Sequence, residues 1–368
     1  MNRRKPEWIP EGAGPEYASR VMSPKAAETA TTTAPWRKSK SRYDLDTLQA
    51  GILRGDRAML SRAITLIESN SASHFAMGQE LIKRILPHTG SSIRIGITGV
   101  PGAGKSTFIE SFGCYLISQG KKVAVLAIDP SSSISQGSIL GDKTRMEKLS
   151  RSEHSFIRPS PSSGVLGGVA RKTRESMLLC EAAGYDTILI ETVGVGQSEI
   201  TVRSMVDIFM LIQIAGAGDE LQGIKKGIME LSDLIIVNKA DGDNVQAARM
   251  AKAELDHALH YIQPSTKGWQ SQTLLCSALE GTGLDAISEK IDEFIANTKD
   301  SSMFLSRRKD QVLHWFDALL DEAVLAAIYG KAGIKEKILG LRGEVRENQK
   351  PVVLAVQEAL EELKIDGY

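Results

Sequence analysis

The sequence has little of what would place it at a membrane, in an oxidising compartment or on nucleic acid. No apolar run approaches spanning length. The longest, around Ile208–Ile214, is broken by Gln213 and suits a buried strand. The first residues lack the apolar stretch of a secretory signal. Three cysteines, Cys114, Cys180 and Cys276, lie far apart in apolar surroundings. That spacing speaks against a disulfide framework or a thiolate metal site and suits small core residues in a reducing compartment. The six histidines form no cluster beyond His257 and His260, an i, i+3 pair that reads as a solvated helix face. Lys+Arg and Asp+Glu number 45 each, so the net charge is zero and gives no support to a nucleic-acid partner. The expectation is a protein of the cytoplasm, or of the mitochondrial matrix in a eukaryote, with no nucleic-acid or membrane partner.

What is present is an organised α/β chain. Residues 1–42, rich in Pro, Ala, Ser, Thr and basic side chains, read as a mobile arm. A mitochondrial transit peptide competes with that reading, against Glu7, Glu11, Glu16 and Glu28 and the two prolines Pro6 and Pro10. Residues 43–90 read as a helical segment. Leu45, Leu48, Ile52 and Leu53 make one stripe, Asp56 caps a second helix, and Phe75, Leu81, Ile82 and Ile85 mark a third that Pro87 stops. Over residues 91–299, apolar strands alternate with helices: Ile93–Thr98, Val123–Ile128, Ser155–Arg158, Thr187–Ile190, Ile208–Ile214, Leu234–Val237 and Thr273–Cys276. Continuous apolar strands predict a mostly parallel sheet covered by helices on both faces, with ligands at the strands' carboxyl ends. Residues 300–368 are helical again, with stripes at Val312, Trp315, Phe316, Leu319, Leu320 and Ala323 and at Val353, Val356, Leu360 and Leu363. These stripes suit either packing on the core or a surface for a second subunit.

The chemistry centres on GVPGAGKST, residues Gly99, Val100, Pro101, Gly102, Ala103, Gly104, Lys105, Ser106 and Thr107. It stands between a predicted strand and a predicted helix, the context a phosphate-binding loop needs. Glycines let backbone N–H groups turn inward on phosphates, and the helix beginning at Lys105 aims its positive end at the same anion. Lys105 supplies a cation to the β and γ phosphates, and Ser106 a hydroxyl to Mg2+. Asp129, ending the second strand, and Asp142, in LGDKTRM, are candidate carboxylates for that ion. Asp129 competes with a turn or cap reading before Pro130, and Asp142 reads equally as a helix-capping loop residue. ETVGVGQSE follows the strand Thr187–Ile190. There Glu191 could hold Mg2+ through water or orient the attacking water, Gly194 N–H could sense the γ-phosphate, and Gln197 could polarise the water.

The base is read by NKAD. An Asp241 carboxylate accepts from both N1–H and the 2-amino group of guanine, a donor pair that adenine lacks. Asn238 would tie the loops together and Lys239 pack along the base. The loop CSALEGTG brings Ser277, Ala278 and Leu279 to where a backbone N–H can meet guanine O6. GTP and GDP are thus the expected substrate and product.

Together these motifs resemble the methylmalonyl-CoA mutase-associated GTPases. The residues that carry the likeness are GVPGAGKSTFIE, IDPSSS, GSILGDKTRM, IRPSPSSGVLGGVARKT, CEAAGYDTILIETVGVGQSE, GDELQGIKKGI and NKAD, between Ile95 and Asp241. The resemblance implies a homodimer formed through the C-terminal helical arm. It implies as partner an adenosylcobalamin-dependent acyl-CoA mutase, whose cofactor loading and repair are gated by GTP. It also places Asp219 and Lys225 on a loop that promotes hydrolysis once the mutase is bound; without it, that loop reads as a solvated charged turn. The competing readings are a nickel metallochaperone GTPase, which would carry a His-rich tail or Cys pair, and a small-molecule kinase or transport ATPase, which NKAD opposes. A nucleotide-binding interaction protein with little hydrolysis is a third.

Overall fold

The computed structural model describes residues 44–129, 146–161, 166–192, 197–216, 222–330 and 333–362. Seven strands form one sheet in the order β3-β2-β4-β1-β5-β6-β7: β1 (Ile93–Gly99), β2 (Val123–Asp129), β3 (Ser155–Pro161), β4 (Thr187–Thr192), β5 (Ile208–Ile214), β6 (Leu234–Asn238) and β7 (Gln272–Leu275). Every pairing is parallel. The expected strands therefore all form, several running one to three residues further, and the last begins and ends one residue earlier than its apolar run suggested. β1 is central. The chain goes from it to one half of the sheet and later returns to build the other, so the carboxyl end of β1 is the crevice where such sheets bind ligands.

Alternation along β1 sends Ile95 and Ile97 to one face and Gly96 and Thr98 to the other. On the first face Ile95 and Ile97 meet Phe108 and Phe112 of α4 (Lys105–Ser118), in a core shared with Ile287, Ile291 and Phe294. On the second face Gly96 lies under α7 (Gln197–Arg203). A Cβ on Gly96 would stand 2.7 Å from Phe209 Cδ2 and 2.9 Å from Val202 Cγ1. The missing side chain is what lets this helix lie close on the strand. Gly96→Ala is therefore expected to destabilise the fold by about 1–3 kcal/mol, the usual cost of overpacking, measurable as a lower denaturant midpoint with unchanged slope.

Of the N-terminal helices α1 (Leu45–Leu53), α2 (Arg57–Glu68) and α3 (Ala72–Ile85), the first two start at side-chain caps. Asp44 accepts from Thr47 N–H, and Asp56 from Ala58 and Met59 N–H. A short 3-10 turn, Leu86–His88, holding Pro87, follows α3. Their apolar faces, with Leu60, Ile64, Leu81 and Ile85 fully buried, pack on one another and on the helix that precedes β4. Two polar links then join them to α6 (Leu166–Ala182), the helix after the short α5 (Glu147–Arg151): Lys172 Nζ donates to Asn70 at 2.8 Å, and Gln79 to Glu175 at 2.6 Å. Two stripe members differ from expectation. Leu53 and Phe75 are exposed, and the Arg171 guanidinium lies over the Phe75 ring at 5.1 Å, so a cation shields the ring in place of core packing.

α10 (Leu284–Asp300) leads into α11 (Met303–Tyr329). The first turns of α11 are clamped to the base of the sheet. Arg308 donates to both carboxylate oxygens of Asp207, at 2.7 Å each, and Gln311 to Val206 O at 2.8 Å. With 27 residues, α11 is about 40 Å long, and beyond the clamp much of its apolar stripe stays open, with the Arg174 guanidinium over the half-buried Trp315 ring at 5.3 Å. Val312, Phe316 and Leu320 are exposed, as are Val353 and Val356 on α13 (Val352–Glu362). Packing on the core thus accounts for only a small part of these stripes. The end of α11, α12 (Ile334–Arg346) and α13 line an apolar cavity of about 500 Å³ that includes Leu325, Leu341 and Val356. Among the described residues no helix is long and apolar enough to cross a membrane.

Candidate functional site

The segment between β1 and α4 takes a shape that glycine makes possible. Gly99 has φ 153° and Gly104 φ 85°. A Cβ on Gly99 would stand 2.3 Å from Ile212 O, and one on Gly104 2.7 Å from Asn238 Nδ2. Both the backbone conformation and the space exclude a side chain at these two positions. The helix then starts at Lys105, as the motif requires, with the N–H groups of its first turn directed at the loop.

Lys105 Nζ donates to Gly99 O at 2.7 Å and Val100 O at 3.3 Å, so its ammonium lies across its own loop. Burial pushes its pKa down, and the Glu191 and Glu199 carboxylates oppose that shift. Ser106 Oγ donates to Glu191 Oε1 at 3.2 Å. A hydroxyl and a carboxylate so placed are hard oxygen donors of the kind Mg2+ takes. Asp129 ends β2 at the same rim of the sheet, but its side chain lies outside the described residues. So do the side chains of Gln197 on α7 and Lys225 on α8 (Gln222–Leu231). Asp142, Gly194 and Asp219 lie wholly outside them.

The opposite wall is built by the β6–α9 and β7–α10 connections, α9 being Val245–Leu259. Asn238, 2% exposed, spans it. Its Nδ2 donates to Ala103 O at 2.9 Å, and its Oδ1 accepts from Ala278 N–H at 3.0 Å. One side chain thereby holds the phosphate loop and the CSALEGTG loop together. Lys239 has φ 59°, and its side-chain stem runs beside Gly104. The Ser277 hydroxyl donates to Asp241 Oδ2 and accepts from Glu280 N–H at 3.1 Å. These bonds refine the expectation for the last loop. Ser277 N–H donates to Thr282 O and Ala278 N–H to Asn238. Among the described residues, that leaves Leu279 N–H as the candidate donor to guanine O6. Ser277 bonds instead through its hydroxyl, to Asp241 Oδ2.

The structure thus brings Lys105, Ser106, Glu191, Asn238, Lys239, Asp241 and the Ser277–Leu279 loop to one rim. The sequence reading passes over two hydroxyls and a carboxylate just beneath it. Thr192 Oγ1 donates to Thr98 Oγ1 at 2.8 Å, and Thr98 Oγ1 donates to Glu199 Oε1 at 3.4 Å. All three residues are buried, and only their polarity on an otherwise apolar sheet face could have flagged them. His257, one of the paired histidines, packs its ring edge-on against Tyr261 at 5.3 Å.

Known proteins share this fold and much of this sequence. The family model described as Methylmalonyl Co-A mutase-associated GTPase MeaB matches residues 60–332. The chain is 51% identical over 276 residues to GTPase ArgK of Escherichia coli, covering 75% of this chain and 83% of that one. It is 44% identical over 309 residues to the mouse protein named methylmalonic aciduria type A homolog, mitochondrial, covering 81% and 74%. A crystal structure described as LAO/AO transport system kinase superposes with a TM-score of 0.72 at 38% identity, covering 87% of this chain and 97% of that one.

Proposed function

The chain belongs to the methylmalonyl-CoA mutase-associated GTPase family, and from that premise we propose that it is a Mg2+-dependent, GTP-hydrolysing chaperone of an adenosylcobalamin-dependent acyl-CoA mutase. Methylmalonyl-CoA mutase is the first client to test, with gating of cofactor loading and protection of the mutase as the service. The observation that carries the nucleotide choice is the Asn238–Asp241–Ser277 wall. It presents a carboxylate, held by a serine hydroxyl, beside a phosphate loop to which Asn238 is bonded. A carboxylate so placed matches the donor edge of guanine and would be left unpaired by adenine.

In this reading Lys105 and the first turn of α4 bind the β and γ phosphates. Ser106 and Glu191 hold Mg2+, joined by Asp129 or Asp142, and the ion neutralises charge on the phosphates when bound. Asp219 and Lys225 act when the mutase docks, with Lys225 placing a cation on the transferring phosphoryl group. The exposed apolar stripes of α11 and α13 support a second copy of the chain as the partner of the C-terminal arm, since patches of this kind mark association surfaces. The cytoplasm, or the mitochondrial matrix in a eukaryote, is the proposed place of action.

The test is GTP turnover by the purified protein, alone and with an adenosylcobalamin-dependent acyl-CoA mutase from the same cell, with ATP as control. Slow GTP-specific turnover that the mutase stimulates is expected. Lys225→Ala should bring the stimulated-to-basal ratio down toward one. A mutase that changes nothing would remove it as client, and equal use of ATP would favour the kinase-type reading that the solved relative's description suggests.

A further inference from the structure

The Thr192–Thr98–Glu199 relay joins three elements beside the phosphate loop, β4, β1 and α7. Thr192 ends β4, one residue after Glu191. Thr98 stands on β1 beside it, since Ile97 is in register with Glu191, and immediately precedes Gly99 of the phosphate loop. Glu199 is on the helix that follows the ETVGVG stretch. The direction of donation is fixed. Thr192 donates to Thr98 at 2.8 Å and Thr98 to a Glu199 oxygen at 3.4 Å, so the chain of hydroxyls ends on an acceptor. Glu199 is 1% exposed and both threonines are fully buried. A buried carboxylate is kept at a cost, and it is found where its position matters.

The same helix face makes a second contact. Val202, one turn after Glu199, lies over Gly96, two residues before Thr98 on the same side of β1. Helix α7 is therefore seated at two points: an apolar one at Gly96, and a polar one at Thr98, directly under the loop that cradles phosphate. The apolar seat fixes how close the helix lies. The polar seat fixes where its first turn stands, because a hydrogen bond is directional and packing is not.

We propose that Glu199 is a positioning residue for GTP hydrolysis, latching the first turn of α7 to the phosphate-loop strand through Thr98 and Thr192. The proposal rests on the GTPase reading above and adds to it a residue pair that sets turnover and not nucleotide binding. Both side chains are buried beneath the rim that carries the phosphate loop. The latch keeps Glu191 and the start of α7 in one arrangement relative to Lys105, and misplacing such groups lowers kcat before it lowers affinity.

The experiment uses the full chain with four variants: Thr98→Val, Glu199→Leu, Glu199→Gln and the double Thr98→Val/Glu199→Leu. Thr98→Val is nearly isosteric and removes only the hydroxyl. Measured are kcat and KM for GTP, GDP affinity by a fluorescent analogue, and thermal melting. Thr98→Val and Glu199→Leu are each expected to lower kcat about tenfold, with KM and GDP affinity within about twofold. The double variant should be no worse than either single one, because the residues act as one unit. Glu199→Gln keeps the acceptor and should retain most of the rate. Full kcat in Thr98→Val and Glu199→Leu overturns the latch. A fall in kcat matched by an equal fall in GDP affinity and melting temperature, unrescued by Glu199→Gln, reduces the contact to fold support and also overturns it. If the wild-type chain turns over no GTP, the proposed function fails and the latch with it; wild-type turnover with fully active variants removes the latch alone.

Discussion

Lys105→Ala is expected to lower GTP hydrolysis by about a hundredfold or more, the usual effect of removing one charged donor aimed at developing negative charge. The structure gives the reason in the surroundings of the ammonium. Lys105 Nζ is held by two neutral carbonyls of its own loop, Gly99 O at 2.7 Å and Val100 O at 3.3 Å. Burial works against its charge, and Glu191 and Glu199 work for it. A phosphate oxygen carries a full charge and outcompetes a neutral carbonyl for the same ammonium, so the side chain is well placed to move a short distance onto the nucleotide. Alanine leaves the helix N-terminus and the loop N–H groups in place. Some affinity for GDP should therefore remain while turnover collapses. Melting temperature should change little, because the lost bonds join a half-exposed side chain to its own loop. GTP turnover within about threefold of wild type would remove Lys105, and with it the phosphate loop, from the reading.

The phosphate-loop motif is legible in the sequence because it is contiguous. Each glycine is required by its own φ or by a neighbour one strand away, and the residue types stand side by side in the chain. NKAD is legible for the same reason, and so is the alternation of strands and helices, since burial on both faces leaves continuous apolar runs. The Thr98–Glu199 contact joins residues 101 apart, each unremarkable where it stands, and only the pairing of β1 with α7 brings them together. Ser277 N–H is taken by Thr282 O across the Ser277–Thr282 bridge and its hydroxyl donates to Asp241, a pairing of residues 36 apart that chain order does not display. The stripes on α11 and α13 show a different limit. Periodicity states that a face is apolar and leaves open what it meets. The Arg308–Asp207 clamp seats only the first turns of α11, so Val312, Phe316 and Leu320 of its stripe stay exposed. Phe75 follows the same logic on a smaller scale, its ring covered by Arg171 instead of by core.

Asp241→Asn is expected to weaken GTP by about a hundredfold while creating use of xanthosine triphosphate. Guanine offers two donors on its N1 and 2-amino edge, and a carboxylate accepts both. Asparagine offers one acceptor and one donor, so the 2-amino group would face another N–H. Xanthine keeps N1–H and replaces the amino group by a carbonyl, which restores two good bonds to asparagine. The neighbouring serine makes the exchange tolerable in this chain. Ser277 now donates its hydroxyl to Asp241 Oδ2 and accepts from Glu280 N–H. A hydroxyl can also accept through its second lone pair, so an asparagine N–H in that place keeps a partner after the hydroxyl turns. Ser277→Ala should then weaken guanine binding less than Asp241→Asn and leave the preference for guanine over xanthine in place, because it loosens the carboxylate without changing what the carboxylate accepts. Competition of GTP and xanthosine triphosphate in hydrolysis by the three proteins decides the matter. Asp241→Asn with unaltered preference for GTP would show that guanine is read elsewhere. A switch to xanthine in Ser277→Ala would show that the serine touches the base itself.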